Sequence, residues 1–157
     1  MRLFIFNTLL ALVWAALTGI FTPMNFLAGF VLGFIMISLA QSVFGKRSYA
    51  WRGYKVVAFL FYFFRELLKA NIRVARDIIT PKHYMTPGLI RFPLDAKSDV
   101  EITLLASIIS LTPGTLCIDV SADKKTMYIH AMYISNADDF RREIKDGFER
   151  RLLEVLR

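Results

Sequence analysis

The stretch Leu3–Gly45, LFIFNTLLALVWAALTGIFTPMNFLAGFVLGFIMISLAQSVFG, contains no Asp, Glu, Lys, Arg or His over 43 residues. A segment of this length in a water-soluble domain needs a polar face, and here polarity is limited to scattered Asn, Thr, Ser and Gln. A soluble core is excluded as its destination. The stretch divides at Thr22-Pro23-Met24-Asn25, because Pro lacks an N–H donor and Asn favours turns. Two apolar segments remain, Leu3–Phe21 and Met24–Phe44, of 19 and 21 residues. At a rise of about 1.5 Å per residue each makes a helix about 30 Å long, the thickness of a hydrocarbon core. Residues 1–45 therefore read as a transmembrane helical hairpin. A cleaved signal peptide is the competing reading of the first segment, but no small-x-small site follows it and a second span begins at once.

Outward from the hairpin, charge is uneven. The 157-residue chain is 55% hydrophobic with a net charge of +7. Residues 46–91 hold ten Lys or Arg against Glu66 and Asp77, while residues 92–157 hold nine against eleven acidic groups. The basic block sits directly after the apolar stretch, where a juxtamembrane segment meets anionic lipid headgroups. No nucleic-acid motif accompanies it, so membrane lipid is the expected partner and nucleic acid is not. Arg2 on one side, with Lys46, Arg47, Arg52 and Lys55 on the other, places both ends of the hairpin in the cytoplasm by the positive-inside rule. The short uncharged turn then faces out.

Small residues recur every four positions, as Ala11, Ala15 and Gly19 in the first segment and Gly29 and Gly33 in the second. That spacing puts each set on one side of its helix and lets a neighbouring backbone approach, either from the other hairpin helix or from another subunit. Ion paths through lipid normally carry carboxylates, Lys or His. These two segments have none, so the chain alone is a poor pump or channel.

Trp51–Thr80, WRGYKVVAFLFYFFRELLKANIRVARDIIT, has a different pattern. Its uninterrupted apolar part, Val56–Phe64, is nine residues and too short to span. On a helical wheel Arg65, Glu66, Lys69, Arg73, Arg76 and Asp77 share one third of the circumference, opposite Phe61, Phe64, Leu67, Leu68, Ile72, Ala75 and Ile79. A basic amphipathic helix of this kind lies in the interface plane. The alternative is a tilted third span with snorkelling Arg65 and Lys69. Residues 46–80 thus form a basic loop and a juxtamembrane helix.

The remaining residues, 81–157, read as a small cytoplasmic α+β domain of order β-α-β-β-α. Pro81, Pro87-Gly88 and Pro93 punctuate a connector, and Gly88–Leu94 is the first strand. Ser98-Asp99-Val100-Glu101 is a capping box opening a helix that Thr112-Pro113-Gly114 stops. Two strands follow, with Leu116, Ile118 and Val120 on one face, Met127, Ile129 and Ala131 on the other strand's matching face, and Ala122–Lys125 as the turn. Pairing 120 with 127 sets Cys117 opposite His130 and Asp119 opposite Tyr128. Asn136 opens a last helix with the buried stripe Phe140, Ile144, Phe148, Leu152 and Val155.

Few residues resemble reactive chemistry. Cys117, Asp119 and His130 are the one group resembling a nucleophile constellation, and no second His or carboxylate cluster completes a metal site. His83 stands alone in a Pro-rich connector. Thr112-Pro113-Gly114-Thr115 could expose N–H groups to an anion, but a single Gly fits a helix stop better. The single Cys excludes a disulfide framework. No catalytic, cofactor-binding or metal residue is expected.

The stretch Glu66-Leu67-Leu68-Lys69-Ala70-Asn71, continuing through Val74-Ala75 to Pro81, resembles the E-type component of the Mrp-type multisubunit Na+/H+ antiporters. So do Leu104-Leu105-Ala106, Ser110-Leu111-Thr112-Pro113-Gly114-Thr115, Asp119-Val120 and His130, with Trp14 and the Gly29/Gly33 pair upstream. The similarity runs in order over nearly the whole chain. It implies a membrane component of a complex exchanging Na+, in some members K+, for H+ at the bacterial plasma membrane. It also implies that the other subunits carry the ion path and that no catalytic residue or cofactor belongs here. The expectation is an accessory, assembly-supporting subunit; the alternative is a membrane-anchored enzyme or adaptor acting through its α+β module.

Overall fold

The computed structural model describes residues 2–43, 49–81 and 85–157. They fall into two compact units, Met1–Val56 and Val57–Arg157. The first holds α1 (Arg2–Thr18) and α2 (Pro23–Val43). Gly19 adopts φ +67, a left-handed conformation that glycine enters without a Cβ penalty, and this ends α1 before the expected Phe21. The apolar helix is therefore Leu3–Thr18, shorter than the 19-residue segment read from sequence. Among the described residues one helix, over Pro23–Gln41, is long and apolar enough to cross a membrane. Pro23 takes the first position of α2, where its missing N–H costs nothing. Asn25 ties the turn together: its Nδ2 donates to Thr18 Oγ1 and to Ile20 O, both at 2.7 Å, and its Oδ1 accepts from Trp14 Nε1 at 3.1 Å.

The small residues meet within this unit. Ala11 and Ala15 are buried, and a Cβ on Gly29 would come within 2.8 Å of Trp14. Asn7 is fully buried and its Nδ2 donates to Phe30 O at 3.1 Å. Within this unit these contacts run between α1 and α2. Gly19 takes no part, having nothing within 4 Å of its Cβ position.

Helix α3 (Tyr49–Ile79) begins in the first unit and continues through the second. There it joins β1 (Gly88–Pro93), α4 (Asp99–Leu111), β2 (Thr115–Val120), β3 (Thr126–Ala131), α5 (Ala137–Glu143) and α6 (Arg150–Leu156). A π turn, Ile144–Glu149, links the last two helices, so the expected final helix is continuous but widened in its middle. The capping box at Ser98/Glu101 and the Asn136 cap both form. The antiparallel sheet has the order β1-β3-β2. Its inner face (Phe92, Met127, Ile129) packs against Ile102, Leu105 and Ile109 of α4 and against Ile144, Phe148 and Leu152, and Ile90 is buried on the same face.

Two sequence expectations fail here. First, a bulge between Cys117 and Asp119 shifts the β2 register: Val120 still pairs with Met127 and Asp119 with Tyr128, but Cys117 pairs with Ile129 and Leu116 with His130. The extra residue turns Cys117 inward beside the core and leaves Leu116 and Ile118 exposed. Second, the aromatic residues of α3 are not confined to its apolar side. Phe59, Tyr62 and Phe63 lie on the charged side and pack against the core. The Tyr62 ring meets Phe148 edge-on at 5.4 Å. What α3 leaves uncovered is its apolar stripe, with Phe61, Phe64, Leu68, Ile72 and Ile79 all exposed.

Candidate functional site

The nucleophile-like group is not assembled. Cys117 lies on the core side of the sheet, whereas His130 sits on the outer face between Leu89 and Leu116. Asp119 Oδ1 accepts from the N–H of Val120 at 2.8 Å, which satisfies the bulged backbone locally. Burial, reinforced by the Asp119 charge, pushes the Cys117 thiol up, away from the thiolate that nucleophilic attack needs. Ser110 Oγ accepts from the Cys117 N–H at 3.1 Å, so this part of the edge strand is occupied. His83 lies outside the described residues.

Thr112–Thr115 is a helix stop. The Thr115 N–H donates to Thr112 O at 3.1 Å, and the Thr115 hydroxyl donates to Ile109 O at 2.7 Å. Gly114 carries φ +87 and its carbonyl accepts from Met132 N–H at 2.8 Å. These bonds close α4 and start β2.

The second unit does contain a cleft, of about 970 Å³, that the sequence does not announce. Lys69, Arg73 and Arg76 of α3 form one wall; Asp139 and Glu143 of α5 form another. Asp77 and Tyr133 line it between them. The Arg73 guanidinium stacks over the Tyr133 ring, 5.4 Å from its centroid. The Tyr133 phenol is held above its ordinary range, first by the neighbouring Asp77 carboxylate acting as an acceptor, then by burial. Asp77 is 7% exposed, and its Oδ2 has no hydrogen-bond partner. Asp139 pairs with Arg142, and Lys69 with Glu66 at 2.9 Å. The walls are thus opposite in sign. A signal for this docking is present in the sequence: Phe59, Tyr62 and Phe63 fall on the same side of the wheel as Glu66 and Asp77, an aromatic cluster on a face that charge alone labels polar.

Comparison with known proteins covers almost the whole chain. The family described as Na+/H+ ion antiporter subunit matches residues 7–155. The E-type component of the Na+/H+ antiporter of Alkalihalophilus pseudofirmus is 38% identical over 149 residues, 95% of this chain and 94% of that protein. Its counterpart in Bacillus subtilis is 34% identical over 151 residues, 96% of each. A chain of the Mrp complex from Dietzia sp. superposes with a TM-score of 0.50 at 33% identity, covering 65% of this chain and 96% of that one. A chain of an archaeal membrane-bound sulfane sulfur reductase shares the fold, with a TM-score of 0.58, 24% identity and 99% coverage of both.

Proposed function

We propose, from the premise that this chain belongs to the family of Na+/H+ ion antiporter subunits and matches the E-type members along its length, that it is an accessory, assembly-supporting subunit of a multisubunit antiporter exchanging Na+ or K+ for H+. Its partners are the other antiporter subunits in a bacterial plasma membrane, and the ion path lies in those subunits. The observation that carries this reading is chemical. Leu3–Gly45 has no ionisable side chain, and ion paths through lipid normally carry such groups. The one fully buried polar side chain described in the first unit, Asn7, donates through Nδ2 to the Phe30 carbonyl, while its Oδ1 has no hydrogen-bond partner among the described residues.

In this reading α1 and α2 form the membrane hairpin, α3 lies in the cytoplasmic interface with anionic headgroups along its basic residues, and the α+β domain is cytoplasmic. The packing of α3 supports that placement. Phe59, Tyr62 and Phe63 pack against the domain core and Asp77 is buried, while α3 faces elements bearing Asp139, Glu143 and Arg151 along about 27 Å of helix from Phe59 to Asp77. A spanning α3 would carry those charges into hydrocarbon, at about 2.5 kcal/mol or more each.

Purification of the tagged chain in mild detergent tests the reading. Other antiporter subunits should co-purify, and deleting the chain should abolish antiport by loss of assembled complex. A chain that purifies alone, with full antiport in its absence, refutes the proposal. For topology, a cysteine placed by Ser121→Cys in a Cys117→Ser background should resist impermeant thiol reagents in intact cells; ready labelling puts the domain outside.

A further inference from the structure

Two features of the second unit meet at one residue. Ile72 belongs to the exposed apolar stripe of α3 and also lines the cleft. The stripe, which the reading above lays on the membrane, therefore runs directly into a pocket whose near wall is Lys69, Arg73 and Arg76. A phospholipid with its acyl chains against Phe64, Leu68 and Ile72 has its phosphate at the height of these cations. Arg supplies a planar fork of donors suited to phosphate oxygens. Arg76 forms no ion pair among the described residues, and Arg73 is committed only to the face of Tyr133.

The far wall decides which lipid. Glu143 stands opposite the cations together with Asp139, which already shares its charge with Arg142, and the nearly buried Asp77 adds a carboxylate with one oxygen that has no hydrogen-bond partner. A headgroup that is anionic throughout meets repulsion there. One that follows its phosphate with a primary ammonium finds complementary charge at both ends. We propose that this cleft binds the headgroup of a single phosphatidylethanolamine, with Lys69, Arg73 and Arg76 on its phosphate and Asp139 and Glu143 around its ammonium. This rests on the interfacial placement of α3 and is distinct from the general attraction of the basic segment for anionic membrane.

Native mass spectrometry of the full chain in detergent tests it, with phosphatidylethanolamine, phosphatidylglycerol and phosphatidylcholine offered at equal concentration. The ethanolamine lipid should be retained about tenfold over either competitor. Arg73→Gln with Arg76→Gln should abolish retention. Asp139→Asn with Glu143→Gln should keep a bound lipid but invert the preference toward phosphatidylglycerol, a change that misfolding does not produce. Equal retention of all three lipids overturns the proposal. So does efficient displacement by soluble glycerophosphoethanolamine, which would identify a free ligand instead. A bimane label at Phe64→Cys, in a Cys117→Ser background, separates the two readings in vesicles containing brominated lipid. Quenching without lipid preference sinks the cleft proposal alone; no quenching sinks the interfacial helix and the lipid site together.

Discussion

Gly33 lies so close to Asn7 that a Cβ added to it would stand 2.3 Å from the Asn7 Oδ1 atom. The same Asn7 side chain donates to Phe30 O, so one amide bridges the carbonyl and the glycine of successive α2 turns. In an apolar surrounding the Nδ2 bond fixes register, because a slip would strand that donor and the Phe30 carbonyl in addition to the Oδ1 that already lacks a partner. Gly33→Leu should therefore separate α1 from α2, and native gels should show less assembled complex with transport falling in parallel. Full assembly with a changed cation preference would contradict this packing account.

Inside the second unit Gly147 plays the corresponding role. A Cβ there would meet Tyr62 Oη at 2.1 Å, so α3 docks on the π turn through the absence of a side chain. Gly147→Ala should cost about 1–3 kcal/mol, the usual range for overpacking. Removing the hydroxyl by Tyr62→Phe should recover part of that loss, since the ring carbon behind it would still be 3.0 Å away. Thermal unfolding of the two single variants and the double variant measures the coupling. Strictly additive losses would mean that the two residues do not share this contact.

Glu101 closes the capping box and also holds Arg157: Oε1 accepts from Nε at 3.0 Å and Oε2 from Nη2 at 3.2 Å. The hydrogen bond from Arg157, followed by that from the Lys97 N–H, lowers its carboxyl from an ordinary 4.5 to about 2. A depressed carboxyl stabilises the fold above its unfolded pKa and loses that contribution as pH falls through the folded value. Glu101→Gln should therefore lower Tm by several degrees at neutral pH, and the gap to wild type should narrow between pH 4.5 and 2. A gap independent of pH would show that packing, not charge, is what the substitution removes.

Gly114 and the two nucleophile-like side chains give contrasting expectations. At φ +87 a branched residue is strained by about 1 kcal/mol or more, and its Cβ would press on the Tyr133 ring at 3.3 Å. Gly114→Val should reduce the amount of assembled complex. Cys117→Ser and His130→Gln should each leave antiport near wild type, because the two side chains lie on opposite faces of the sheet. Vesicle transport normalised to assembled complex distinguishes these outcomes. A large loss of turnover in either side-chain variant would reveal a working site.

Much of the second unit is legible in the sequence because its signals are local. Ser98 with Glu101, Asn136, and the alternation along β3 each specify structure within a few residues. The failures have physical causes that local reading lacks. In β2 the alternation of Leu116, Ile118 and Val120 with Thr115, Cys117 and Asp119 is regular, so it does not reveal that a bulge after Cys117 turns Cys117 inward in place of Leu116 and Ile118. Gly19, embedded in an apolar run, gives no sign that it adopts a left-handed φ and shortens α1. On α3 the charges dominate the wheel, and the cleft depends on a tertiary contact through Phe59, Tyr62 and Phe63. The cleft therefore stays hidden in the sequence even though its charged wall on α3 is plain there.

The central claim, that ions do not pass through this chain, is tested most directly at Asn7, the fully buried polar side chain between α1 and α2. The measurement is antiport per assembled complex, with Na+ and with K+, in inverted vesicles carrying Asn7→Leu. The account predicts that the number of assembled complexes falls while turnover per complex and the ratio of the two cations stay at wild-type values. Normal assembly with altered turnover or a shifted cation ratio would contradict it.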